Sequence, residues 1–186
     1  MMSVPLEREI KLRFDSVEAA RAAVTAAGAD PLRPRRLQSD ALFDTEQRLL
    51  SARSQVLRVR IEEGRSVVTF KSPAEHPTLK LREELETGVA DGACFVAILE
   101  RAGFRTWFRY EKYREEFALH DVVIAIDETP VGTFVEIEGS DGGIVAAAHA
   151  LGCGPSDYIV DSYRALFVRF CQEQGIAVGD MRFAAR

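Results

Sequence analysis

Five pairs of like-charged residues, each pair separated by one position, hold most of the chemical information in this sequence: Glu7/Glu9, Arg58/Arg60, Glu84/Glu86, Lys112/Arg114 and Glu136/Glu138. Alternate side chains of a β-strand share a face, so each pair sends two charges to the same side, about 6.6 Å apart. At an effective dielectric near 20, such neighbours repel by about 2.5 kcal/mol where water does not screen them. They need a counter-charge. Carboxylate oxygens are hard donors of the kind Mg²⁺ and Mn²⁺ take, usually with water and substrate phosphate, whereas Arg and Lys offer donors and positive charge to phosphoryl oxygens. Acidic and basic pairs on one closed surface would bind a polyphosphate together with its metal.

The segments that carry these pairs read as strands. Glu7, Glu9 and Lys11 share one face of Glu7–Leu12, and Arg58 and Arg60 lie opposite Leu57, Val59 and Ile61. Thr69 and Lys71 alternate with Val68 and Phe70. Lys80, Arg82, Glu84 and Glu86 oppose Leu79, Leu81 and Leu85. Asp127 shares a face with Val123 and Ala125, and Glu136 and Glu138 oppose Val135 and Ile137. An antiparallel sheet with helices on one side and water on the other gives the same alternation. A solvated face would, however, mix in Ser, Thr, Gln and Asn, and these faces are almost wholly Glu, Asp, Arg and Lys.

Four helices are expected around the strands. Asp15-Ser16-Val17-Glu18 has the form of a capping box and opens Val17–Ala27, which Gly28 stops. A second runs from about Asp91 to Ala102 before Gly103, a third from about Ile144 to Leu151 before Gly152, and a fourth from Asp157 to Gln174 before Gly175. No repeat or low-complexity tract divides the chain, so residues 1–186 read as a single domain.

Composition excludes several classes. With 47% apolar and 28% charged residues the chain can bury a core beneath an ordinary surface. A net charge of -5 argues against a nucleic-acid module. No apolar run reaches the roughly 18 residues that span a bilayer, and Met1–Leu6 lacks a signal peptide's apolar stretch, so a cytoplasmic protein without a membrane partner is expected. Cys94, Cys153 and Cys171 read as buried fillers, and His76, His120 and His149 are too isolated to act as metal ligands. No Gly-rich phosphate loop is present.

Taken in order, the charged blocks resemble a known family. Glu7-x-Glu9-x-Lys11 resembles the amino-terminal signature of CYTH domains, the triphosphate tunnel group of class IV adenylate cyclases and thiamine triphosphatases. Gln38–Asp44, Leu57–Arg60, Thr69–Lys71, Arg82–Glu86, Lys112–Arg114, Asp127-Glu128 and Gly132–Glu138 follow in that family's order. The resemblance implies an α+β fold, an eight-stranded antiparallel β-barrel with helices packed on its outside. It implies Mg²⁺ or Mn²⁺ on Glu7, Glu9, Asp127, Glu136 and Glu138, and a triphosphate cradled by Lys11, Arg58, Arg60, Lys71, Arg82, Lys112 and Arg114. Lys11, Arg58, Arg60, Glu84 and Glu86 are the catalytic candidates, the two glutamates either holding a second metal or orienting Arg and Lys. The expected partner is a small-molecule triphosphate, and a homodimer is compatible with the sequence.

The activity implied is metal-dependent hydrolysis of inorganic triphosphate, thiamine triphosphate or a nucleoside triphosphate. Formation of cyclic AMP from ATP, and polyphosphate binding without turnover, are the alternatives. Two positions depart from the family pattern. Asp161 stands before Ser162-Tyr163 where relatives often have a basic residue, and Ala41-Leu42 replaces an aromatic, which leaves stacking of a base or thiazole unsupported at that point.

Overall fold

The computed structural model describes residues 6–74 and 80–184. His76 and Leu79 lie outside the described residues. In chain order the elements are β1 (Leu6–Phe14), α1 (Val17–Ala26), β2 (Asp30–Thr45), α2 (Leu49–Ala52), β3 (Val56–Glu62), β4 (Arg65–Pro73), β5 (Lys80–Val89), α3 (Gly92–Arg101), β6 (Phe104–Leu119), β7 (Val122–Thr129), β8 (Gly132–Glu138), α4 (Asp141–Ala150) and α5 (Tyr163–Gln174). The eight strands close into an antiparallel barrel in the order β1-β5-β4-β3-β2-β6-β7-β8. This is the closed sheet that the family resemblance implied.

The period of two puts the apolar faces outside. Ile10, Leu12, Ile124, Ile126, Val135 and Ile137 form one cluster with Ala20 and Val24 of α1 and Ile144, Ala147 and Ala148 of α4. Phe43 and Val59 are covered by Phe95, Val96 and Leu99 of α3. A third cluster closes one end of the barrel, where Tyr163, Leu166 and Phe167 of α5 meet Leu42, Phe108, Tyr110 and Phe134. Each fully buried Ile, Leu or Phe contributes about 1.5–3 kcal/mol. The outer face is therefore where the barrel gains its stability, and its interior is left to charge.

Local chemistry moves several boundaries from those the sequence predicted. The first helix is capped by Ser16, whose Oγ accepts from the Ala19 amide at 3.1 Å, rather than by Asp15, and Gly28 follows it at φ +80°. The third begins at Asp141, three residues before Ile144, because Ser140 caps it by accepting from Gly143 N at 3.0 Å. The fourth begins at Tyr163, not Asp157. Pro155–Asp157 is a 3-10 turn, and Ile159 then pairs with Lys11 of β1 through backbone bonds of 2.9 and 2.8 Å. Those bonds hold the approach to α5 extended until Ser162 caps the helix. Only Cys171 is a buried filler; Cys94 is exposed and Cys153 half-buried. His120 and His149 are exposed. Among the described residues no helix is long and apolar enough to cross a membrane.

Candidate active site in the tunnel

Thirteen of the fourteen residues singled out in the sequence line one cavity of about 640 Å³ inside the barrel: Glu7, Glu9, Lys11, Arg58, Arg60, Lys71, Arg82, Glu84, Glu86, Lys112, Arg114, Glu136 and Glu138. That is a usual size for a small-molecule site. Asp127 is the fourteenth, buried behind the wall. Strands β3 and β8 lie four positions apart in the eight-strand ring, so Arg58 and Arg60 on β3 face Glu136 and Glu138 on β8 across the lumen.

Among the described residues an opposite charge meets every member of these pairs except Glu138. Asp40 of β2 sits between the two β3 arginines, with Oδ1 2.9 Å from Arg60 Nε and 3.4 Å from Arg58 Nε. Asp127 accepts from Arg114 at 2.7 and 2.5 Å, from Lys112 at 2.8 Å and from the Tyr163 hydroxyl at 2.6 Å. Lys11 Nζ, 2% exposed, lies 3.0 Å from both Glu9 and Glu136, and Arg114 also meets Glu136. Lys71 bridges Glu7 at 2.5 Å and Glu84 at 3.3 Å. Thr69 links Arg58 to Glu86 through bonds of 2.9 and 3.2 Å.

The two buried lysines titrate in opposite directions. Burial disfavours the Lys11 ammonium, but Glu136 and Glu9 outweigh it and hold its pKa well above the ordinary value. For Lys112, burial and the neighbouring Arg114 prevail over Asp127 and Glu136, and its pKa falls to about 8. The Asp127 charge is shared among four donors, which leaves less of it for Lys112.

Glu138 has no ion pair among the described residues. Its side chain lines the lumen but stays exposed to solvent, and partial desolvation, together with Glu7, Glu9 and Glu84 and against Lys71, pushes its pKa up to about 7. Glu84 is raised for the same reasons, burial first, with Lys71 opposing. Among the described residues no three Asp, Glu, His or Cys side chains are already gathered around a common point. The unmatched negative charge at Glu138 nevertheless suits a hard divalent cation, because carboxylate oxygens are the donors Mg²⁺ and Mn²⁺ prefer and mutual repulsion is what such an ion relieves.

Sequence reasoning missed residues at both ends of the cavity. At one mouth Glu62 accepts from Arg33 at 2.7 Å, Gln38 at 2.8 Å and Arg36 at 3.0 Å. Burial opposes its charge, but these donors bring its pKa down to about 2. Register shifts between Pro31, Arg33 and Arg36 break the alternation that would have placed these arginines. At the α5 end, Trp107, Arg164, Leu42 and Val56 line the cavity. Leu42 pairs with Phe108 and Phe43 with Thr106, so Trp107 is the extra residue of a β-bulge, a device that re-aims a side chain. A bulge is invisible to a period-two reading.

A closed barrel with its apolar face outward and a lumen lined by both acidic and basic residues is a charged tunnel. The model of the CYTH domain matches residues 5–151, and the chain belongs to that family. A protein of Methanocaldococcus jannaschii named "putative adenylate cyclase" is 29% identical over 136 residues, 73% of this chain and 77% of its own length. The X-ray structure of a "putative adenylate cyclase" from Vibrio parahaemolyticus superposes with a TM-score of 0.78 at 21% identity, over 89% of this chain and 99% of the other. A Hippeastrum protein, described as a "putative adenylyl cyclase" with a dominant triphosphatase activity, superposes with a TM-score of 0.63 at 20% identity, over 92% of this chain and 97% of the other. The last two likenesses establish the fold.

Proposed function

We propose that this protein is a divalent-metal-dependent triphosphatase that cleaves inorganic triphosphate, thiamine triphosphate or a nucleoside triphosphate inside the tunnel. The observation that carries the reading is the charge distribution. Ten Lys and Arg side chains line the cavity against eight Glu among the described residues, whereas the whole chain carries -5. Ten of the chain's 24 Lys and Arg thus gather around one lumen, held in place by carboxylates of the same wall, and such a concentration of donors suits the oxygens of a polyphosphate.

Arg58 and Arg60 on one wall, and Lys11, Lys112 and Arg114 on the other, grip the phosphoryl oxygens from two sides and align the chain along the tunnel. Their donors are held in place before the substrate arrives, so they favour negative charge that builds on the leaving phosphate at little cost in reorganisation. Lys71 and Arg82 extend this surface, while Glu84 and Glu86 orient Lys71 and Arg58. Lys112 Nζ, with its pKa near 8, carries a proton that it can give up near neutral pH. Glu7, Glu9, Glu136 and Glu138 are the groups that would hold Mg²⁺ or Mn²⁺, with Asp127 setting Lys112 and Arg114 behind them. When bound, such an ion supplies Lewis-acid stabilisation of phosphoryl oxygens.

Adenylate cyclase is the second reading, favoured by the name of the Methanocaldococcus jannaschii relative. Phosphorus NMR after incubation with Mg²⁺ or Mn²⁺ and each of inorganic triphosphate, thiamine triphosphate and ATP separates the two. Orthophosphate is the expected product. Pyrophosphate with cyclic AMP from ATP would replace hydrolysis by cyclisation, and no turnover of any substrate would reduce the protein to a polyphosphate-binding module.

A further inference from the structure

The C-terminal segment docks on the barrel where one strand outruns its neighbour. β7 pairs with β6 from Tyr113 to Leu119, so Phe104–Lys112 of β6 run on beyond it with β2 on one side only. The free side takes residues 180–183. Met181 N donates to Arg109 O and Glu111 N to Met181 O, both at 2.9 Å, in a parallel bridge at Tyr110. Asp180 Oδ1 accepts from Arg109 N at 2.8 Å, and Phe183 N donates to Glu111 Oε2 at 3.3 Å. The Phe183 and Tyr113 ring centroids are 5.2 Å apart.

This is a buried anchor on an exposed line. Residues 172–180 are exposed throughout, while Met181 is fully buried. Leaving the seat breaks no bond of the barrel ladder, because β2 still holds the other side of β6. A segment with few buried contacts at a chain end opens at low free energy.

The anchor touches the parts that set the tunnel. Met181 belongs to the cluster of Phe108, Tyr110, Phe134 and Tyr163. The Tyr110 and Tyr163 rings lie 6.4 Å apart, and each tyrosine serves a different cationic wall. Tyr110 pairs with Asp40 across β2–β6 and lines the cavity, with the Arg58 guanidinium against its hydroxyl. Tyr163 donates to Asp127 Oδ2 at 2.6 Å, the carboxylate that sets Lys112 and Arg114. Burial first, then Asp40 and Asp127 respectively, keep both phenols protonated.

We infer that residues 176–183 are a clasp that seats Tyr110 and Tyr163, and through them the two cationic walls, with Met181 as a positioning residue outside the lumen. The inference rests on the triphosphate reading of the tunnel. Neither Met181 nor Asp180 lines the cavity, so a change at either reaches a ligand only through other residues. A polyphosphate that needs both walls in place tightens the clasp, and an undocked clasp weakens the grip by the same factor. The C-terminal segment thereby gives the tunnel a control point on its outer surface.

Amide exchange of the full-length protein, read residue by residue by NMR with and without saturating inorganic triphosphate and Mg²⁺, tests the coupling from the clasp side. The amides of Arg109, Glu111 and Met181 are expected to exchange about fivefold more slowly with ligand bound. That factor should exceed the one for amides of α1, which packs in a separate cluster. Calorimetric titration with inorganic triphosphate tests the coupling from the tunnel side. Met181→Ala should bind it about fivefold more weakly than the parent protein, the low end of coupling between sites. Asp180→Ala, at an exposed position, should bind it about threefold more weakly, the scale of one hydrogen bond, and Asp180→Asn, which keeps the acceptor, should restore the parent affinity. The Asp180 variants carry the test should Met181→Ala not fold.

Exchange at the three amides unchanged by bound triphosphate would make the segment a support of the barrel and overturn the inference. Parent affinity in the alanine variants, whatever their melting temperature, would overturn it as well. Either result leaves the triphosphate reading standing. A parent protein that binds no inorganic triphosphate, with or without Mg²⁺, would remove the triphosphate reading and the coupling with it.

Discussion

Asp40 Oδ1 accepts from Arg60 Nε at 2.9 Å while lying 3.4 Å from Arg58 Nε, so one buried carboxylate sets both arginines of the cationic wall. Its second oxygen, Oδ2, has no hydrogen-bond partner among the described residues. Asp40→Asn removes the charge while keeping the shape, and should cost about 3 kcal/mol, because two guanidiniums are left facing each other without compensation. A bound triphosphate would restore that compensation. The thermal midpoint of Asp40→Asn should therefore rise more on adding inorganic triphosphate than that of the parent protein. Equal shifts in a thermal melt would mean that the ligand does not meet Arg58 and Arg60.

Glu62 makes stability depend on acid. Its folded pKa of about 2 lies below the usual 4.5, so its contribution is fully present above about pH 4.5 and disappears as the pH falls toward 2. The shift corresponds to at most about 3 kcal/mol. In Glu62→Gln, urea midpoints should be lower at pH 7 and should fall less between pH 4.5 and 2. A parallel fall in both proteins would remove Glu62 from the acid response.

Adjacent glycines of α4 should respond with opposite signs. A Cβ at Gly142 meets nothing within 4 Å, so Gly142→Ala should stabilise by about 0.5–1 kcal/mol through helix propensity. A Cβ at Gly143 would lie 2.5 Å from Asp121 Oδ1 and 2.7 Å from Val122 Cγ1, and Asp121 holds the hydroxyl of the Ser140 cap. Gly143→Ala should cost about 1–3 kcal/mol. Chemical denaturation of the two variants in parallel checks the sign of each.

Glu138→Gln tests the metal assignment from the ligand side. Removing the carboxylate without an ion pair should raise the thermal midpoint of metal-free protein at pH 8 and weaken Mg²⁺ binding by about tenfold or more. Unchanged Mg²⁺ affinity by calorimetric titration would take Glu138 out of the ligand set. Arg8 alternates with Glu7 and Glu9 on β1, and its Nε lies 3.0 Å from Asp141 and ties β1 to α4. At that half-buried site, with Asp141 itself exposed, Arg8→Ala should cost less than about 1 kcal/mol in a urea melt.

The strands that carried the chemistry were legible because their alternation is unbroken. Arg58 and Arg60, or Glu136 and Glu138, can only share a face in a regular strand, and the charged face lacked the Ser, Thr and Asn of a solvated one. What the sequence could not supply was register. Asp40 stands among Ala41, Leu42 and Phe43, and its value lies in facing Arg60 on β3, a pairing set by barrel closure. Trp107, Arg33 and Arg36 sit where the β2–β6 register slips, so counting in twos misplaces them. The α5 boundary failed for a related reason. The backbone of Ile159 is held by Lys11, far away in the chain, and no local propensity announces it.

The outward-facing core also bears on how such a protein changes over time. Ile10, Ile124 and Ile137 hold the barrel to its helices, and none of them touches the lumen. Most substitutions that disable an enzyme do so by unfolding it, and here the residues exposed to that risk are largely separate from those that meet a ligand. A lineage built on this plan can exchange an unpaired lumen residue such as Glu138 with its apolar core untouched, whereas Asp40 and Glu62 carry stability as well as charge. Activity in such a barrel is cheap to rewrite, so two members with the same backbone need not inherit the same reaction.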